Sequence, residues 1–443
     1  MSKNMVSRRT FLAGTIAAAA GCRIVPRHIL GGKGYTPPSE KLNIAGIGVG
    51  GRGEADLGGV RTENIVALCD VDEEQAANSF RRWPNAKKYK DFRVMLDKEK
   101  GIDAVVIATP DHIHAVAAMA AMQIGKHVYV EKPLAHSIYE ARMLADAAKR
   151  YNVTTQMGNQ GHAADGVRKA CEIVWSGEIG GVHTVYAWTD RSSRPASPHR
   201  PADTPPVPET LDWNLWLGPA AYRPYHPAYL PHRWRYWWDF GCGSLGDMGC
   251  HILDPPFWAL KLGAPTSVEP VEILEGSEET APRASVIRYE FPRRRDMCPV
   301  TLFWYDAGKL PPRPAGIGAN VELGDGGNGS LFIGDKGILT TGCYGIGTRL
   351  LPDSKMDGYR FPHEAIPRTE CTIHEDWVRA CKRNERACSD FGYAAALTEM
   401  ILLGNVALRA REKIYWDADD MKVTNVPEAD KYIRREYRPG WSL

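Results

Sequence analysis

Short apolar runs alternate with helical patterns over the first third of the chain. LNIAGI (42–47), NIVALCD (64–70), DAVVIATP (103–110) and HVYVEKP (127–133) are compact and rich in β-branched residues, as buried parallel strands are. Between the later runs, IHAVAAMAAMQIG and SIYEARMLADAAKRY space their apolar positions as helices do, and VTTQMG closes the series as a further strand. Such alternation predicts one parallel sheet with helices on both faces. Ligands of these sheets sit beyond the carboxyl ends of the strands. Thr109, Pro110, Glu131, Lys132, Asn159 and His162 all fall at such ends.

The pattern then changes. VRKACEIVW reads as a helix, Gly177–Gly181 as a turn, and the following residues as an alternating strand. Residues 191–231 are dense in proline and predict a long surface loop, a lid or a subunit contact, rather than regular structure. Strands are expected around ASVIRYEFP, PVTLFWYDAG and GSLFIGDKGILTT, and a closing helix within DFGYAAALTEMILLGNVALRAREKIYWD. Apart from the leader described below, no run reads as a membrane helix. The fold class is therefore α/β: a Rossmann-type domain over 36–157 and an α+β domain over 158–443, preceded by a leader and linker over 1–35.

The leader begins SRRTFLAGTIAAAAGC, residues 7–22. A basic pair followed by a short apolar run is a secretory pattern. Ser7–Leu12 resembles the twin-arginine signal, which implies export of an already folded protein to the periplasm. The apolar run is shorter than the roughly 20 residues a bilayer needs. Cys22 after AAG offers a lipid-anchor position, although Ala19 stands where a leucine is usual.

Composition narrows the functions. Lys and Arg number 55 against 53 Asp and Glu, for a net charge of +2, and no basic run stands out, which argues against nucleic acid. The ten cysteines lack CxxC or zinc spacing, so no metal site is expected; Cys242 and Cys250 are the nearest pair in a site region.

The first strand runs into Gly46-x-Gly48-x-x-Gly51, which fits the dinucleotide fingerprint. The first glycine makes a tight turn, the second admits a pyrophosphate, and the third lets the helix pack on the strand. Asp70 ends the second strand about 20 residues later, where a carboxylate accepts ribose hydroxyls and repels a 2′-phosphate. Val71 and Asp72 add no cation, which favours NAD over NADP.

With GIGVGGRG, CDVD, ATPDHIHAVAAMAAMQIGKHVYVEKPLA, GNQGH and GDMGCHILD in this order over 42–258, the sequence resembles the Gfo/Idh/MocA oxidoreductases. The resemblance implies a C-terminal domain with a large, open, mostly antiparallel sheet, a dimer or tetramer, and hydride transfer on sugars, cyclitols or polyols. Gly50, Arg52, His114, Glu131, Lys132 and Asn159 join the cofactor set. After a Gly-rich turn, Asp247, His251 and Asp254 stand at i, i+4 and i+7, on one face of a helix if it continues. His251 is the preferred general base, since imidazole titrates near neutrality. Lys132 would stabilise oxyanion charge, or act as base if burial lowers it. Asp247 would orient His251 or hold a sugar hydroxyl. His162, Arg233, Trp234 and Asp254 are substrate candidates, with Arg235, Trp237 and Trp238 nearby, and one of the three tryptophans is expected to touch substrate. His374 is expected in core or surface.

Export with a cofactor implies that NAD stays bound and is regenerated in each cycle. Oxidation of a sugar or glycoside is the first reading. Redox-neutral glycoside cleavage through a keto-sugar is the second, and a non-catalytic sugar-binding protein the third.

Overall fold

The computed structural model describes residues 40–443 apart from Arg194 and Ala196, so Arg8, Arg9 and Cys22 lie outside the described residues. The first domain is built from β1 (Asn43–Ile47), α1 (Arg52–Gly59), β2 (Asn64–Cys69), α2 (Glu73–Arg82), β3 (Lys87–Tyr89), α3 (Phe92–Lys98), β4 (Ala104–Ile107), α4 (Asp111–Gln123), β5 (His127–Glu131), α5 (Ile138–Tyr151) and β6 (Thr155–Gly158). Its six strands are parallel in the order β3-β2-β1-β4-β5-β6. The short polar side chains ahead of the helices set their starts. Asp72 accepts from the backbone N–H groups of Glu74 and Gln75, and Ser137 forms a reciprocal capping box with Glu140.

The second domain adds α6 (Asp165–Trp175), β7 (Val182–Thr189), α7 (Trp213–Leu217), α8 (Gly243–Ile252), α9 (Asp254–Ala259), β8 (Ser267–Leu274), β9 (Ala284–Phe291), β10 (Val300–Tyr305), β11 (Asn328–Gly334), β12 (Ile338–Thr341), β13 (Arg349–Leu351), α10 (Ile373–Arg383), α11 (Phe391–Ala410), β14 (Ile414–Asp417) and β15 (Lys422–Val423). Nine strands form one sheet, β13-β12-β11-β7-β10-β9-β8-β14-β15, antiparallel except for the β7–β10 pair. Alternation decides its faces: Val300, Leu302 and Trp304 are buried, whereas Thr301, Phe303 and Tyr305 on the other face are half-buried.

Two features depart from the sequence pattern. Helix α10 returns to the first domain, where Ile373, Trp377, Val378 and Cys381 pack with Ile44, Leu57, Leu68 and Val106 on one face of the parallel sheet. Helix α11 is long and apolar enough to span a membrane by length and composition, with a mean hydropathy of 1.4, but 83% of that window is buried. It is the core helix against which α5, α8 and β8 pack. Among the described residues every cysteine is a free thiol.

Candidate active site

A cavity of about 890 Å³ opens at the carboxyl ends of β1, β2, β4 and β5 and is closed on its far side by α8 and the loops of the large sheet. Its volume lies in the upper range for cofactor and small-molecule sites.

The glycine loop forms one end. Gly48 has φ +71°, and a Cβ there would lie 2.8 Å from the backbone nitrogen of Thr109. A Cβ on Gly53 would lie 1.9 Å from the Gly48 carbonyl oxygen, whereas one on Gly51 would meet nothing within 4 Å. The helix-packing glycine is therefore Gly53, and the fingerprint runs Gly48-x-Gly50-x-x-Gly53, two residues beyond the frame read from sequence. Gly46 is enclosed by Val49 and Leu57 and acts in the strand packing. Gly51 borders the cavity at the start of α1, whose first N–H groups have no side-chain cap. An uncapped helix start beside open space suits a phosphate. Gly53→Ala should lower thermal stability by about 1–3 kcal/mol through overpacking; Gly51→Ala meets no neighbour but is strained at φ +50° and ψ −107°, and should cost about 1–3 kcal/mol of stability as well as weaken dinucleotide binding; thermal unfolding and NAD titration read the effects.

Asp70 stands at the end of β2 as expected. Its carboxylate accepts from the N–H groups of Val49 (2.8 Å), Gly50 (3.2 Å) and Asp72 (3.0 Å), so the glycine loop itself aims it. Burial pushes it up to about 6 against these hydrogen bonds. Lys90 also borders this end but is paired with Glu73 at 2.9 Å. These residues fit a dinucleotide with a free ribose diol. Asp70→Ala should weaken NAD binding about tenfold or more, the scale of hydrogen bonds to a charged group, and narrow the preference over NADP, as measured by titration with each.

Beyond Asp70 the wall comes from distant segments. In the proline-rich stretch, Asp212 donates its N–H to the Val71 carbonyl at 2.9 Å and Thr210 accepts from Glu73 at 3.0 Å, which lays α7 against β2 and brings Trp216 to the cavity. Trp441 also borders it, with its ring 6.0 Å from Phe92 and under the Arg93 guanidinium at 4.3 Å. Arg438 ties this tail to α7 through Asn214 at 2.7 Å.

The other end holds the reactive groups. The Lys132 ammonium donates to the Asp247 carboxylate at 2.7 Å and to the Asp247 backbone carbonyl at 2.6 Å. Burial alone would lower this lysine, but Asp247 and Glu131 outweigh it and raise it above the usual lysine value. Burial likewise opposes ionisation of Asp247, yet Lys132 and Arg235 hold it well below the ordinary carboxylate range. The pair is thus an ion pair, and Lys132 is not the free amine that a base would require. Asp247 orients Lys132 rather than His251. Burial, with Lys132 adding to it, lowers His251 well below an ordinary histidine; its Nδ1 is enclosed without a hydrogen-bond partner. His251 is therefore neutral at neutral pH. Behind Lys132, Glu131 accepts from Arg52 (3.1 Å) and Gln160 (2.8 Å) and is pushed up to about 7 by burial and Asp56. Thr109, Pro110 and Arg52 complete this wall.

Several residues expected at the site serve elsewhere. His162 is buried, its Nδ1 is 3.0 Å from Asp254, and its ring stacks on Trp258 at 4.3 Å; Tyr393 donates to the same carboxylate. Neither His162 nor Asp254 borders the cavity, because α8 ends at Ile252 and Pro255 and Pro256 start a new helix, which turns Asp254 away from Asp247 and His251. Arg233 is exposed outside the cavity, and Arg235 takes its place, 3.6 Å from Asp247 and over Trp234 at 4.2 Å. Trp234 does line the cavity, while Trp237 and Trp238 are core. His114 lies between the carbonyls of Pro133 (2.8 Å) and Thr109 (2.9 Å), holding the Lys132 loop to β4 instead of bordering the cofactor cleft. Asn159 is fully buried with an unpartnered amide, and Gln160 is the residue that lines the cavity at this strand end. His374 packs behind the site, bonded to Asp56 at 3.0 Å. Sequence reading missed Gly53, Gln160, Trp216, Trp441 and Tyr344; only the last, in TGCYGIGT, carried a local signal, an aromatic inside a Gly-rich turn.

A parallel sheet with a glycine loop, a terminal Asp and a strand-end Lys, the last paired with an Asp beside a His on a second sheet domain, defines a two-domain dinucleotide-binding protein. Residues 42–159 match the NAD-binding Rossmann fold of the Gfo/Idh/MocA oxidoreductases and residues 179–292 match their C-terminal alpha/beta domain; the chain belongs to that family. It is 28% identical over 187 residues to levoglucosan dehydrogenase of Pseudarthrobacter phenanthrenivorans, covering 42% of this chain and 40% of that one. It is 27% identical over 155 residues to glucose-6-phosphate 3-dehydrogenase of Bacillus subtilis, covering 35% and 43%. These matches span less than half the length of either relative. In fold it is similar to the WlbA dehydrogenase of Bordetella pertussis, solved with NADH and UDP-GlcNAcA: TM-score 0.61 at 17% identity, over 86% of this chain and all of that one.

Proposed function

We propose that the chain is an NAD-dependent oxidoreductase of carbohydrate secondary hydroxyls that keeps its cofactor bound. The observation that carries this reading is the placement of a neutral His251 and the Lys132–Asp247 ion pair in the same cavity as the Asp70–glycine loop. Bound NAD supplies the hydride acceptor. His251 takes the hydroxyl proton as the C–H bond is broken. The Lys132 ammonium, fixed by two bonds to Asp247, stabilises the oxygen as negative charge develops on it. Trp234 and Arg235 offer a ring face and hydrogen bonds to the sugar. Trp216 and Trp441 screen the dinucleotide end from water. The relatives named for levoglucosan and glucose 6-phosphate support a carbohydrate substrate.

The twin-arginine pattern supports export of the folded, cofactor-loaded chain to the periplasm, with Cys22 as a lipid-anchor position. The half-buried row of Tyr186, Phe303 and Tyr305, with the first two rings stacked at 5.5 Å, supports a dimer or tetramer built on the outer face of the large sheet. Light scattering of the mature chain tests the assembly.

Purification without added nucleotide, denaturation and chromatography of the released cofactor test the main reading. Close to stoichiometric NAD, with absorbance at 340 nm rising when a sugar substrate is added, is the expected result. An empty protein that takes up no NAD on titration overturns it.

A further inference from the structure

The loop between β12 and β13 places Tyr344 over the reactive end of the cavity. Tyr344 has φ +60° and ψ +15°, a left-handed conformation that costs a bulky L-residue energy. The loop is held there from both sides. Gly342 donates to the Ile346 carbonyl at 2.7 Å, and Cys343 donates to Asp325 at 2.9 Å. A Cβ on Gly161 would lie 2.5 Å from the Tyr344 Cα, so the loop rests directly on the end of the first domain. The tyrosine ring lies 4.6 Å from that of His251, tilted by 57°. It is 37% exposed, lines the cavity, and no group among the described residues hydrogen-bonds its hydroxyl. Burial keeps the phenol protonated, with the Cys343 thiol adding to the effect, so the hydroxyl is a donor at neutral pH.

A glycine would occupy this backbone position at less cost, and the chain has glycines on either side of the Cys343–Tyr344 pair. A strained aromatic with a free hydroxyl beside the proton-accepting histidine is what a ligand contact requires and what a packing residue does not. We propose that Tyr344 is a substrate-contact residue, its ring pressed on the apolar face of the sugar and its hydroxyl donating to a sugar oxygen, so that the reacting hydroxyl is presented to His251. This rests on the carbohydrate reading of the cavity and adds the element that sets how the ring is oriented.

Tyr344→Gly and Tyr344→Phe, each in the NAD-loaded full chain, test the inference. Saturation-transfer NMR with levoglucosan, myo-inositol and D-glucose reads contact whether or not hydride moves. For Tyr344→Gly the expected result is a melting temperature at or above the parent's, unchanged NAD affinity, loss of the sugar signal and a KM raised about tenfold, as expected for a lost stacking contact and hydrogen bond. Tyr344→Phe should keep the ring contact and lie between. Parent-like sugar signals and KM in Tyr344→Gly overturn the proposal, as does a lower melting temperature with weakened NAD binding, which would make the tyrosine a structural or cofactor residue. Sugar contact without any NAD reduction by the parent overturns the proposed reaction but leaves Tyr344 assigned. Absence of contact with all three sugars overturns both.

Discussion

Replacing His251 with Gln or Ala is expected to lower kcat by about a thousandfold, within the range for loss of a positioned base, with NAD content unchanged. Single-turnover reduction of bound NAD by the sugar substrate measures it. The parent's pH profile carries the second signature. Burial and the Lys132 charge lower His251 below the ordinary imidazole range, so the base form persists into acid. Activity is expected to hold through pH 7 and to fall only on the acid side of that range; in the His251 variants this acid limb disappears. The same shift acts on stability. Below the pKa of a histidine in the unfolded chain, about 6.5, the unfolded state binds a proton that the folded state refuses. Stability therefore declines as pH drops through that value toward the lowered folded one. His251→Gln should flatten that part of the curve.

Lys132→Met has the other large effect, and it divides in two. If Lys132 stabilises the oxyanion as proposed, its removal should cost about a hundredfold or more in kcat. It also strands Asp247. The two side chains are only 13% and 23% exposed, and breaking an ion pair shielded to this degree costs about 3 kcal/mol; Arg235, at 3.6 Å, softens the loss without replacing the bond. Lys132→Met/Asp247→Asn should recover much of the stability and none of the turnover. Thermal unfolding and single-turnover kinetics on the single and double variants separate the contributions. Full recovery of turnover in the double variant would mean that Lys132 serves only to neutralise Asp247.

The first domain was readable because buried parallel strands and amphipathic helices write their periods into the chain, and Asp70 and Lys132 fall where two of those strands end; His251 was read instead from the GDMGCHILD motif after its Gly-rich turn. The failures have separate physical causes. Five glycines within Gly46–Gly53 offer two frames for one fingerprint, and only the close approach of Gly53 to Gly48 chooses between them. The i, i+4, i+7 trio assumed a continuous helix, whereas Pro255 and Pro256 start a new one. His162 lies just past a strand end, as a ligand residue would, yet its partner is Asp254. Trp216 and Trp441 reach the cavity through contacts far apart in sequence, which no local pattern encodes. Strand β8, whose outer half is exposed, was also unread, since its apolar positions are broken by Glu269, Pro270 and Glu272.

The wall that reaches from Ile47 to Trp441 has a consequence for the order of events during synthesis. The nucleotide fingerprint emerges from the ribosome early, but one face of its sheet waits for α10 and its pocket lacks a side until almost 400 further residues have been made. Capture of the nucleotide is thus a late step that reports completion of both domains. A chain that had acquired it would have passed a check on its own folding.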